Sequence, residues 1–175
     1  MSAAAVYLSG ATASGKSALA LRLAKRLGGE IISVDSMQVY RGLDIGTAKP
    51  SAEEQAEVPH HLIDVASLDE AFDAAQFVRL AKRAEATVRE RGNRPIFCGG
   101  TGLYFRALLE GLGESPPSDN ALSETLATMP LETLVDELKS RDPQAAAQVD
   151  LQNPRRVVRA VEVIRLTGRP YSEQR

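Results

Sequence analysis

The stretch Gly10-Ala11-Thr12-Ala13-Ser14-Gly15-Lys16-Ser17 fits the spacing G-x-x-x-x-G-K-[ST], and it limits the possible folds more than any other feature of the 175 residues. Glycine tolerates backbone angles that other residues resist, so successive N–H groups in such a loop can turn inward on a single anion. Lys16 adds a full positive charge to that cradle, and Ser17 offers a hydroxyl suited to a magnesium ion. The flanks agree with the motif. Ala4-Ala5-Val6-Tyr7-Leu8 is a short apolar run of strand character, and Ser17 to Ala24 reads as the following helix. Strand, loop and helix N-terminus coincide, which points to the α/β class and to a phosphate-bearing ligand, without saying which.

Further along, Gly28-Gly29 closes the first helix. Glu30-Ile31-Ile32-Ser33-Val34 then forms a short β-branched strand that delivers Asp35 to its C-terminal end. Open α/β sheets place ligands at that edge, so Asp35 belongs near the phosphate loop. Residues Ser36 to Pro50 are too polar and glycine-punctuated for a regular element and read as a functional loop. Ser51 caps a short acidic helix ending at Glu57, and His60 to Val65 is extended. His60 and His61 read as hydrogen-bonded packing groups, although no partner is identifiable from sequence. Apolar residues recur at helical spacing from Asp73 to Arg91, and Arg94 to Cys98 returns as a strand. That strand ends in Gly99-Gly100-Thr101-Gly102, a second glycine-rich turn with its hydroxyl, Thr101, toward the ligand edge and a helix after it. Cys98, with no base nearby, reads as buried filler. The pattern predicts a three-layer fold of the P-loop NTPase type with a mostly parallel sheet.

From residue 114 the character changes. Ser115-Pro116-Pro117-Ser118-Asp119-Asn120 is a linker by composition, and short acidic helices follow over Leu122 to Ala127 and Leu131 to Ser140. Asp142-Pro143 starts another helix and Asn153-Pro154 the last. Residues 114–152 carry two basic and eight acidic side chains, whereas 153–175 carry six basic and two acidic. Arg155, Arg156 and Arg159 crowd the first turns of the last helix, where the helix dipole disfavours cations, so an anion is expected there unless these are solvated faces. The expected organisation is a P-loop core over 1–113, a small helical insertion over 114–152, and a basic helix over 153–175 returning toward the core.

Composition excludes several classes. No apolar run approaches a membrane span and no signal-like start is present, so a cytoplasmic location is expected; a monomer is expected separately. One cysteine excludes an internal disulfide, and two adjacent histidines cannot build a zinc cluster. A metal should be oxygen-bound, as magnesium is.

A phosphate loop most often holds a nucleoside triphosphate, so an ATP-binding kinase or ATPase is the first reading from spacing alone. The strand before Gly99, however, ends in glycine and threonine instead of the acid that commonly organises magnesium and water. Asp35 lies where it would touch a second substrate, which suits group transfer. A small-molecule kinase of the shikimate-kinase type stays open, as does a binding fragment without turnover.

The runs Asp35 to Pro50, Pro59-His60-His61-Leu62-Ile63-Asp64 and Gly99-Gly100-Thr101-Gly102-Leu103-Tyr104 resemble the bacterial tRNA dimethylallyltransferase family. The resemblance covers residues 6–113 almost continuously. It resumes at Asp142 to Ala147 and Asn153 to Val163 and is loose over 114–141. It implies transfer of a dimethylallyl group from dimethylallyl diphosphate to the exocyclic amine of the adenosine 3′ of the anticodon, in tRNAs reading codons that begin with U. By matching positions, Gly10, Ala11, Thr12, Ala13, Ser14, Gly15, Lys16 and Ser17 would hold the donor diphosphate, with magnesium at Ser17. Asp35 would be the base or orienting acceptor for the amine. Ser36, Met37 and Gln38 would contact the tRNA anticodon stem-loop, and Thr101 the bridging region of the leaving diphosphate. Arg155, Arg156, Val157, Val158 and Arg159 match a tRNA-contacting segment. Family members continue past the position matching Arg175, so a chain incomplete after 175 is expected. The acidic 114–152 stretch implies that only one face of the helical part approaches tRNA.

Overall fold

A computed structural model describes residues 3–113 and 115–174. Met1, Ser2, Glu114 and Arg175, which bound the expected segments, lie outside the described residues. Two compact units divide the chain, Met1–Gly111 and Leu112–Arg175.

In the first unit four strands form a sheet in which every pairing is parallel: β1 (Val6–Ser9), β2 (Gly29–Val34), β3 (His60–His61) and β4 (Arg94–Gly99), in the order β1-β4-β2-β3. The strand alternation sorts side chains onto two layers of helix. Ile31, Ile96 and Cys98 point to one face, where Ala20 and Ala24 of α1 (Lys16–Leu27) cover them. Ile32, Val34 and Phe97 point to the other, under Phe77 and Ala81 of α3 (Ala74–Glu90) and Tyr104 and Phe105 of α4 (Gly102–Leu109). This period of two, with helices on both sides, is the three-layer arrangement the sequence predicts.

Local chemistry sets the element ends. α2 (Ala52–Glu57) begins with a full capping box, in which the Ser51 hydroxyl accepts from the Glu54 amide and the Glu54 carboxylate accepts from the Ser51 amide. Asp73 caps α3 through the Gln76 amide. The extended stretch expected over His60 to Val65 is shorter than its apolar pattern suggests. It pairs only at His60–His61, because Leu62 and Asp64 adopt left-handed backbone angles that break the ladder.

Both histidines find partners. His61 Nε2 lies 2.6 Å from Oε2 of Glu30, a fully buried carboxylate that also accepts from Asn93 and Arg91. Burial alone would raise the Glu30 pKa, but Asn93, His61 and Arg91 together hold it below the usual carboxylate range. His60 Nδ1 bonds the Val58 carbonyl, and burial lowers its pKa.

The second unit has its own core. α5 (Asn120–Ala127), α6 (Leu131–Arg141), α7 (Pro143–Gln148) and α8 (Pro154–Thr167) enclose Leu126, Leu134, Leu138, Ala145, Val157, Ala160, Val161 and Ile164. The boundary expected near residue 152 is therefore not a packing boundary, since α8 buries its apolar face against α5 and α6. The proline-rich stretch is not a free linker either. Glu162 of α8, fully buried, accepts from the Ser118 hydroxyl and the Asp119 amide, both at 2.7 Å, and from Ser123 at 3.0 Å, while Arg159 bonds it at 2.7 Å and also reaches the Pro116 carbonyl. At the far end Asp142 caps α7 and accepts from Ser172. Among the described residues, no helix is long and apolar enough to cross a membrane.

Candidate active site

Parallel pairing puts Ser9, Gly99 and Val34 side by side, so the turns after β1, β4 and β2 leave the sheet at one level. Gly99 makes that closeness possible, because a Cβ there would lie 2.0 Å from the Val34 carbonyl oxygen. In the first turn Ala13 and Gly15 take left-handed angles, φ 64° and 79°. Gly15 starts α1 with no side-chain cap and no acid in the first turn, so the positive end of the helix is left uncompensated by the protein. Lys16 Nζ donates to the Ala11 carbonyl at 2.9 Å, and its head group lies beside Gly100 of the β4–α4 turn. Ser17 is exposed on the first turn of α1. Backbone amides, an ammonium and a hydroxyl thus converge as the motif requires for an anion.

Asp35 stands directly after β2, half-buried. One oxygen, Oδ1, accepts from the amides of Met37 (2.8 Å) and Gln38 (3.3 Å), shaping a tight turn, while Oδ2 accepts from no described protein group. Thr101 begins α4 but does not cap it. Its hydroxyl accepts from the Ser36 amide at 3.0 Å and donates to the Ser36 hydroxyl at 3.4 Å, tying the Asp35 turn to the β4–α4 turn across 65 residues of sequence. Met37 is half exposed. Gln38 is occupied: its amide nitrogen donates to the carbonyls of Thr47 (3.1 Å) and Ala48 (2.8 Å), and its oxygen accepts from Ser33. Both amide protons are thus committed to the loop, while the carbonyl oxygen keeps a lone pair for a further donor.

The phosphate loop (Thr12 to Ser17) and Asp35, Met37, Gln38 and Gly46 to Ala48 line one cleft of about 550 Å³, whose lining includes neither Ser36 nor Thr101. His60 and Cys98 also line it. Burial pushes the Cys98 thiol up, with Lys16 opposing, so it is a packing group rather than a nucleophile. Behind the site Tyr104 stacks on Phe77 at 4.3 Å. Burial, with Tyr40, Asp73 and Asp35 nearby, raises its hydroxyl to about 12, so it stays protonated.

No group of three or more His, Cys, Asp or Glu among the described residues could hold a metal. The cleft is lined instead by oxygen donors, among them the Ser17 hydroxyl and the carboxylates of Asp35 and Glu54. Oxygen donors of this kind suit magnesium, which keeps few protein ligands when a phosphate supplies others.

In the second unit Arg155 and Arg156 are exposed at the start of α8, and Arg156 lies 3.9 Å from Asp150. Val158 is half-buried. Val157, expected to contact tRNA, is fully buried in the core, so its side chain cannot reach a ligand. Arg159 also differs from expectation, since buried Glu162 holds its guanidinium. A cavity of about 470 Å³ lies near Arg155, lined mainly by Leu126, Met129, Leu131, Leu134 and Val158. Its lining also includes Arg155, Arg159, Ser118 and Ser123, of which Arg159 and both serines are already bonded to Glu162.

Fold and site together define a phosphate-loop α/β protein whose cleft also carries a carboxylate. The chain belongs to the IPP transferase family, whose model matches residues 38–175. It is 51% identical over 172 residues to tRNA dimethylallyltransferase 1 of Trichlorobacter lovleyi, covering 96% of this chain and 56% of the relative. With the tRNA dimethylallyltransferase of Geobacter metallireducens it shares 53% over 171 residues, 95% of this chain and 55% of the relative. Among solved structures it is similar to the full-length tRNA isopentenylpyrophosphate transferase of Bacillus halodurans, with a TM-score of 0.62 and 46% identity over 96% of this chain and 57% of that one. It is also similar to a eukaryotic dimethylallyltransferase acting on tRNA, with a TM-score of 0.81 and 29% identity over 98% of this chain and 44% of that one. The chain spans about half the length of these relatives. The family match starts at Gln38, after the phosphate loop and Asp35, so those two features rest on the motif and on the longer alignments.

Proposed function

We propose that this chain carries the donor site and the catalytic edge of a tRNA dimethylallyltransferase. It would join the dimethylallyl group of dimethylallyl diphosphate to the exocyclic amine of the adenosine 3′ of the anticodon, in tRNAs reading codons that begin with U. The observation that carries this reading is the meeting of a phosphate cradle and the open oxygen of Asp35 over one cleft, in a member of the IPP transferase family.

In this reaction the allylic carbon–oxygen bond of the donor breaks, a bond forms from that carbon to the amine nitrogen, and diphosphate leaves. The loop amides and Lys16 hold the diphosphate and stabilise the charge it gains. Magnesium at Ser17, when bound, would further neutralise that charge. Asp35 orients the amine and takes its proton through the oxygen that the turn leaves open. Thr101 braces the Asp35 turn, and its long bond to Ser36 can be exchanged for one to the diphosphate. The adenosine must leave its stack to enter the cleft. Arg155 and Arg156 supply phosphate contacts, whereas Arg159 supports α8 from within.

Single-turnover transfer tests the reading, with radiolabelled dimethylallyl diphosphate, magnesium and an anticodon stem-loop. Label on the adenosine is the expected result. Failure to bind the donor, together with consumption of the ATP terminal phosphate, would replace this reading with a kinase.

A further inference from the structure

Beyond Gln38 the lining of the cleft runs on through Gly46, Thr47 and Ala48, and a buried cation, Lys49, follows directly. Lys49 is only 8% exposed in its side chain, which is rare for lysine unless it is paired. All three of its ammonium protons are used. Nζ donates to the Tyr40 carbonyl at 2.7 Å, to Asp44 Oδ1 at 2.8 Å and to Asp64 Oδ1 at 2.6 Å. Tyr40 and Asp44 belong to the loop after β2, and Asp64 to the segment after β3. The same two segments are stitched by backbone bonds, Asp64 N to Gln38 O, Ala66 N to Val39 O and Arg41 N to Ala66 O. Within the loop, Thr47 closes back on the Leu43 carbonyl, and Gln38 holds the Thr47 and Ala48 carbonyls.

The backbone around this cation is held where side chains resist it. Ala48 has φ 49° and Asp64 φ 55°, left-handed angles that persist only when surrounding bonds impose them. Lys49 directly follows one of these residues and bonds the other. Burial would lower its pKa, but the bonds to Asp44 and Asp64 raise it, so the cation stays charged.

We propose that Lys49 is a positioning residue for the acceptor. Its three bonds lock the loop from Tyr40 to Ala48 against the segment after β3, so that Asp35, Met37 and the Gly46 to Ala48 wall face the cleft in one shape. The proposal rests on the acceptor being an anticodon stem-loop. The phosphate loop contributes no partner to the cation, so donor binding does not depend on the lock.

The test measures three quantities on this chain and on Lys49→Met, which keeps the stem length and removes the charge. These are stem-loop affinity by fluorescence anisotropy, pyrophosphate affinity by calorimetry, and amide exchange over residues 40–48. If the loop holds its competent shape only about a tenth of the time without the cation, stem-loop affinity falls about tenfold. The expected result is that fall, faster exchange in the loop and unchanged pyrophosphate binding. Asp64→Asn is the second variant. Asparagine tolerates the left-handed angle, so it removes only the charge and should give a smaller effect of the same pattern. Equal stem-loop binding by wild type and both variants would overturn the lock, as would equal loss of stem-loop and pyrophosphate binding. Absence of stem-loop binding by the wild type would overturn the acceptor reading itself, and the lock with it.

Discussion

In the proposed reaction Asp35 has two separable duties, and two substitutions divide them. Its Oδ1 accepts from the amides of Met37 and Gln38, while the other oxygen would take the amine proton. Asparagine presents the same acceptor oxygen to those amides, so Asp35→Asn should leave the turn intact and change stability little. Alanine removes the turn bonds as well, and a side-chain cap of this kind is worth about 1 kcal/mol. Loss of a general base lowers transfer by roughly a hundredfold to ten-thousandfold, and both variants lose it. Single-turnover transfer and urea midpoints measured in parallel should therefore show two similarly slow variants, of which only Asp35→Ala is less stable. If Asp35→Asn transferred at the wild-type rate while Asp35→Ala lost both rate and stability, Asp35 would be a turn cap and not the base.

Other consequences follow from the same contacts. Glu162→Ala leaves Arg159, Ser118, Ser123 and the Asp119 amide without their buried partner, and removing one member of a buried ion pair costs about 3–5 kcal/mol, so urea should unfold the helical unit much earlier. Burial opposes ionisation of Glu162, but Arg159, Ser118, Asp119 and Ser123 hold its pKa below the usual value. Its contribution is therefore present above an unfolded pKa of about 4.3 and lost as pH falls through the lower folded value, and Glu162→Gln should flatten the acid limb of a stability–pH curve. Gly99→Ala would force apart β2 and β4, since its Cβ meets the Val34 carbonyl, and a loss of about 3 kcal/mol should appear in thermal melts. Arg156→Ala should weaken stem-loop binding and reduce the slope of log affinity against log salt by about 1, with pyrophosphate binding unchanged. An unaltered slope would remove Arg156 from the RNA surface.

Much of the site was legible because its signals are local. A phosphate loop needs glycines, a lysine and a hydroxyl at fixed spacing between a strand and a helix, and all of these are neighbours in sequence. Asp35 and Thr101 were legible as turn residues after apolar strands. Their connection was not: the Thr101 hydroxyl, expected to face the ligand edge, bonds Ser36, 65 residues earlier. The arginine row shows the opposite error. Crowding at a helix start marked three residues for an anion, yet Arg159 is turned inward by Glu162, one turn further on. The sequence had offered a signal in that i,i+3 pair, but only burial shows that it matters. Lys49 lay inside the Asp35 to Pro50 run, but nothing along the chain marked its partners, 5 and 15 residues away.

What the sequence alone determined is whatever depends on spacing: the order of strands and helices, their caps, the phosphate cradle and the family to which the chain belongs. Tertiary structure decided the rest. It interleaved β4 between β1 and β2 and so brought three turns to one edge, it closed the Lys49 lock, and it set Val157 in the core rather than on a surface. The physical reason is that backbone angles and capping are fixed by neighbours along the chain. The roles of buried charges and hydroxyls depend instead on which distant groups the folded sheet and helices bring within hydrogen-bond reach.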